Sequence, residues 1–167
     1  LLQLPAVPRR IEAFDISNLG EAEVVASMVV FQDAKPKKSD YKRFKIKDLE
    51  TKGDAKRMAE VVTRRYSHMQ AGDEDFAAVP DLVLIDGGTE HAKSAAGALR
   101  GLGLQLPVFG MVKDDRHRTR ALQTPEGAEL GISGNPALFA LVGRVQEEAH
   151  RFAIEYQRKL HGQHSYH

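Results

Sequence analysis

Pro80-Asp81-Leu82-Val83-Leu84-Ile85-Asp86-Gly87-Gly88 decides the fold class of this chain. Four consecutive apolar residues after a proline read as a strand buried on both faces, and the glycine pair stops it. An alanine-rich helix from about Glu90 to Gly101 and a second strand from Pro107 to Val112 follow, the opening of a βαβ unit. Upstream, Ile11 to Ile16 alternates apolar residues with Glu12 and Asp15 as a short strand does, and the chain turns at Asn18 to Gly20. Val24 to Phe31 reads as a strand buried on both faces and Tyr41 to Ile46 as its polar-faced neighbour, completing a three-stranded meander. Met58, Val61, Val62 and Tyr66 recur at helical spacing between Asp54 and about His68. Downstream, residues 113 to 134 are charged and glycine-punctuated, and read as a loop or hairpin where the core pauses. Asn135-Pro136 then opens a helix whose stripe is Leu138, Leu141, Val142, Val145, Ala149, Phe152 and Tyr156.

A chain of 167 residues has room for one domain with a substantial core, and 42% hydrophobic with 28% charged residues is ordinary for a protein that folds in water. No apolar run approaches the 18 residues of a membrane span, and no signal peptide is evident. Without cysteine, any metal must sit on oxygen or imidazole ligands, and a reducing cytoplasm is the inferred compartment. The start without Met reads as a piece of something longer. A net charge of +1 hides local segregation of 24 basic and 23 acidic residues. Lys35, Lys37, Lys38, Lys42, Arg43, Lys45 and Lys47 crowd one segment with Tyr41 and Phe44 between them. That segment suits a phosphate backbone, or lysines guarding a strand edge.

Asp15 and Asp86 each end an apolar strand, and carboxylates at strand ends can converge in one crevice. Period-two alternation places Asp15 with Ile11 and Ala13, and Asp86 with Leu82 and Leu84, so both point toward packed surroundings where an isolated charge is costly. Metal, a basic partner or turn hydrogen bonds would relieve that cost; taken singly, each aspartate also reads as a turn or capping residue. Asp54, after Gly53, reads first as a helix N-cap and second as a further acid near the site. His150 borders the apolar stripe of the last helix, either as an ordinary helical histidine or as an available imidazole. Phosphodiester hydrolysis needs an activated water and neutralised phosphoryl charge, which hard ions on carboxylates supply. Two aspartates and an imidazole suit Mg²⁺ or Mn²⁺. Arg64 and Arg65 on the first helix, with Lys113, Arg116, His117, Arg118 and Arg120 after the last strand, are candidates to cradle DNA, or are simply soluble surface.

The strand order resembles the ribonuclease H-like architecture, though order alone identifies nothing. The motifs are more specific. Arg10-Ile11-Glu12-Ala13-Phe14-Asp15-Ile16-Ser17-Asn18, Val61-Val62-Thr63-Arg64-Arg65-Tyr66, Pro80 to Gly88 and Glu148-Ala149-His150-Arg151-Phe152-Ala153-Ile154 resemble, in order, the UvrC endonuclease domain. The resemblance covers nearly the whole chain. It implies a ribonuclease H-like mixed α/β sheet over residues 11–160, between a linker at 1–10 and the start of another at 161–167. It implies an Asp-Asp-His triad matched by Asp15, Asp86 and His150, with Asp54 where the family has a further acid; Ala55 stands where a second Asp often follows. Lys113 is similar to a lysine that approaches DNA. The family's domain makes the 5′ incision beside a lesion in double-stranded DNA, a separate GIY-YIG nuclease makes the 3′ cut, and UvrA and UvrB locate the damage. The UvrB-binding segment and the helix-hairpin-helix region expected after Gln163-His164-Ser165 are not in this chain, so weak DNA binding is expected. The competing reading is a DNA-binding or interaction module whose acidic pocket is structural and catalytically silent.

Overall fold

The computed structural model describes residues 8–18, 24–46 and 53–165, with side chains to 159. Its eight strands form one mixed sheet: β1 (Arg10–Asn18), β2 (Val24–Gln32), β3 (Lys35–Pro36), β4 (Lys42–Lys45), β5 (Leu82–Asp86), β6 (Val108–Lys113), β7 (Thr119–Gln123) and β8 (Glu129–Gly131). They run in the order β3-β2-β1-β5-β6-β7-β8, with β4 also paired to β2. The three central strands β1, β5 and β6 are parallel and the remaining pairings antiparallel.

Helices cover both faces, as parallel strands require. On one side lie α1 (Asp54–Gln70) and α2 (Thr89–Gly101), burying Met58, Val61, Val62, Ala95 and Leu99 against Phe14, Val83 and Ile85. On the other lies α3 (Pro136–Ser165), whose Val142, Val145, Ala149 and Phe152 meet Ile11, Ala13, Leu82 and Leu84. Strand alternation divides β1 and β5 between these two cores, so neighbouring residues in each strand serve opposite helical layers.

The meander, the βαβ unit and the last helix stand where the periodicity put them. The backbone amide of Leu138 donates to Asn135 Oδ1 at 3.2 Å, the expected N-cap. Three readings are corrected. The core does not pause after residue 113: β7 and β8 extend the sheet, and Ala121, Leu122 and Ile132 are buried. The alternation there is only two apolar residues deep, too short for a periodic signal. Arg10 belongs to β1 rather than to a linker, and α3 continues to Ser165 rather than yielding to a linker at 161. Asp54 is not a cap: Gly53 holds that position at φ 93°, a backbone that suits glycine. The turn at Leu19-Gly20, Lys47 and residues 1–7 lie outside the described residues.

Candidate active site

Asp15 and Asp86 sit near the C-terminal ends of adjacent parallel strands, where β1 and β5 run in register from Ile11↔Leu82 to Phe14↔Ile85. Both share strand parity with the residues that pack under α3, so both carboxylates face the α3 side, half-buried. Burial first, and the neighbouring Asp86 carboxylate second, push the Asp15 carboxyl up to about 7, with Asp54 adding to the effect and Lys113 opposing it. Lys113 ends β6, the next parallel strand, and its Nζ lies 2.6 Å from Asp86 Oδ1. The crevice is therefore an acidic pair held partly in check by one ammonium. Ser27, buried on β2, stands directly opposite Asp15 in the antiparallel register.

Asp54 starts α1, and its field reaches Asp15 although its own Oδ1 accepts from Arg57 at 3.2 Å. Of the two readings of Asp54, the cap is discarded, because Gly53 holds that position. His150 is exposed on α3 and lines a groove of about 660 Å³ together with Lys113, Arg116 and Arg118. Asp86, Gly87, Gly88 and Lys113 line a separate cleft, so Lys113 stands between the carboxylates and that groove. Among the described residues, no three His, Cys, Asp or Glu side chains come close enough to hold a metal ion. The two half-buried aspartates fit a hard cation, whose charge would replace what burial denies them. The triad with His150 is not gathered into one ligand set.

The basic candidates separate into two groups. Arg116 and Arg118 are exposed in the turn between β6 and β7, where Asp114 Oδ1 accepts from both their backbone amides at 2.8 and 3.0 Å. Arg65, in contrast, is 1% exposed and is withdrawn as a DNA ligand. Its Nη2 lies 2.8 Å from Glu12 Oε2, and its guanidinium also donates to the Phe76 and Ala78 carbonyls. Glu12 is fully buried, and also accepts from Arg10 at 2.9 Å and from the Tyr66 hydroxyl at 2.5 Å. Arg43 is withdrawn as well: its guanidinium stacks 3.7 Å from the Phe152 ring centroid and donates to the Phe152 carbonyl, clamping β4 to α3. Arg64 ties α1 to the Lys45 carbonyl and pairs with Glu60 at 3.5 Å, leaving little free charge for phosphate.

Sequence reasoning missed the Glu12 network, although a signal existed. Arg65 and Tyr66 follow Val61 and Val62 at four-residue spacing, so they belong to the same inward stripe of α1.

A family model described as the UvrC RNase H endonuclease domain matches residues 1–154. The UvrABC system protein C of Acetivibrio thermocellus is 47% identical over 175 residues, covering 96% of this chain and 28% of that protein. Its counterpart from Alkaliphilus oremlandii is 44% identical over 172 residues with the same shares. The chain spans a little over a quarter of the length of these curated relatives. Human ENDOV, a solved structure, aligns at 11% identity and a TM-score of 0.49 over 91% of this chain and 85% of that one, a likeness too slight to carry an argument. With the family model over most of its length and relatives at 44–47% identity, this chain belongs to the UvrC RNase H endonuclease domain family.

Proposed function

We propose that the chain is the divalent-metal-dependent endonuclease domain that makes the 5′ incision beside a lesion in nucleotide excision repair. Its substrate is damaged double-stranded DNA, and UvrA and UvrB deliver it. The observation that carries the reading is the Asp15 and Asp86 pair on adjacent parallel strands, with Asp15 pushed up to about 7 by burial and by its neighbour. A purely structural pocket gains nothing from two neighbouring carboxylates that share a single ammonium.

Asp15 and Asp86 are the residues to hold Mg²⁺ or Mn²⁺, with phosphate and water completing the shell. The bound ion would supply an activated water and neutralise phosphoryl charge. Lys113 then has two partners to choose between, Asp86 and a phosphate oxygen, and a cation on the aspartates frees it for the phosphate. Arg116 and Arg118 position the strand beyond the cut. His150 serves as the base that orients water from the α3 side, and Asp54 tunes Asp15 through its charge.

The test is 5′ incision by a whole UvrABC system protein C carrying Asp15→Asn or Asp86→Asn in this domain. Each variant should lose at least about 10³-fold in rate, the scale of removing a group that acts in the transition state, while keeping its circular dichroism spectrum. Full incision by the folded variants would leave the silent-module reading standing instead.

A further inference from the structure

The groove of about 660 Å³ between the β6–β7 turn and α3 has features that two aspartates and a lysine do not account for. Its helical wall is one face of α3, because Phe139, Gly143, Glu147 and His150 follow at four-, four- and three-residue steps. Phe139 is 42% exposed, one of two large apolar side chains so exposed among the described residues. Gly143 sits inside a helix, where glycine costs about 1 kcal/mol relative to alanine. A Cβ built there meets nothing within 4 Å, so no internal packing demands the glycine. Its effect is to keep the groove floor low.

The opposite wall is fixed in place. Gln146 Oε1 accepts from the Thr119 amide at 2.6 Å and from its hydroxyl at 2.5 Å, and Gln146 Nε2 donates to the His117 carbonyl. His117 itself takes φ 62°, a left-handed turn that this bracing holds. Gln146 is thus a positioning residue for a loop whose Arg116 and Arg118 side chains face solvent, with Arg144 across the groove. Lys113, Arg116, Arg118 and Arg144 outnumber Asp114 and Glu147, so the lining attracts anions.

We propose that this groove binds a single-stranded stretch of nucleic acid, one unpaired base lying on Phe139 over Gly143 and its phosphates on Arg116, Arg118 and Arg144. A duplex hides the faces of its bases in the stack. An exposed ring offers a π-face that only an unstacked base can use. The inference rests on the nuclease reading for its orientation: Lys113 lines both this groove and the cleft of Asp86, so a strand held here passes to the carboxylates.

Binding of a short single-stranded oligonucleotide carrying 2-aminopurine, measured in EDTA at low salt, tests the inference on this chain and its variants. Binding should quench the fluorophore. Phe139→Ala should abolish the quench and weaken binding roughly tenfold, the size of one lost stacking contact. Gly143→Leu should block the floor and weaken binding similarly while its melting temperature holds or rises, because leucine is the better helix former. Asp15→Ala should bind as well as the parent, which separates this site from the incision chemistry. Single-strand binding unchanged in both Phe139→Ala and Gly143→Leu would overturn the groove and leave the nuclease reading intact. So would an equal preference for duplex, or no binding by the parent chain. Incision surviving Asp15→Ala with strand binding unaltered would overturn the nuclease reading alone.

Discussion

Asp15 shows how one side chain carries both a cost and a function. Its folded-state carboxyl is pushed up to about 7, whereas an unfolded aspartate titrates near 4, so between those values folding takes up a proton. The stability this contributes is present at low pH and lost as pH rises through the folded value, on the order of 4 kcal/mol in all. Asp40 and Glu148 work in the other direction, because basic partners hold them below the usual range and they lose stability as pH falls. The difference between parent and variant isolates Asp15. In EDTA, Asp15→Asn should gain on the parent protein as pH rises from 5 to 8, measured by thermal melts across that range. A gap that stays constant with pH would mean that Asp15 is not the strained group. Adding Mn²⁺ to the parent should close the gap at pH 8 if the aspartates bind it.

At the scale of elements, β1 and α1 are joined by charge rather than only by apolar packing. Glu12 lies between Arg10, Arg65 and Tyr66 with no exposed surface, and removing one member leaves a buried charge short of its partner. Arg65→Ala should therefore cost about 3–5 kcal/mol in urea unfolding. Arg116→Ala, on an exposed turn, should stay within about 0.5 kcal/mol. Equal costs for the two would refute the division of the arginines made here. The elements themselves were legible where a period ran long enough to be counted. The α3 stripe, the alternation of β1 and the apolar run of β5 all stand as read, because burial on a fixed face leaves a periodic trace. β7 and β8 escaped because five and three residues, half of them polar, leave too little trace.

The whole molecule is nearly neutral, yet its cations are divided between interior and surface. Arg10, Arg43 and Arg65 are spent on packing, while Lys113, Arg116, Arg118 and Arg144 share one groove. A sequence lists both groups in the same letters, so which arginine meets solvent emerges only once the tertiary structure sorts them. The carboxylate pair was legible because each aspartate directly follows the apolar run of its strand, although β1 continues to Asn18. The position of His150 relative to that pair was not, since α3 crosses from another part of the chain. For single-strand binding, log K against log salt should fall with a slope of roughly −2 to −3, as expected for three or four phosphates neutralised. Arg144→Gln should reduce that slope by about 0.7, whereas Arg43→Gln should leave it unchanged. A slope insensitive to Arg144 would remove it from the groove's phosphate contacts.

Glu12 and Asp15 stand three positions apart on one strand, an odd interval that sends one carboxylate to α1 and the other to α3. Deleting Ala13 or Phe14 would make the interval even and turn both acids toward the same side. Either Glu12 would lose its arginines or Asp15 would leave Asp86. Frame-preserving loss of a single codon in β1 is therefore predicted to be more damaging than any one substitution there, because it exchanges the inside of the strand for its outside.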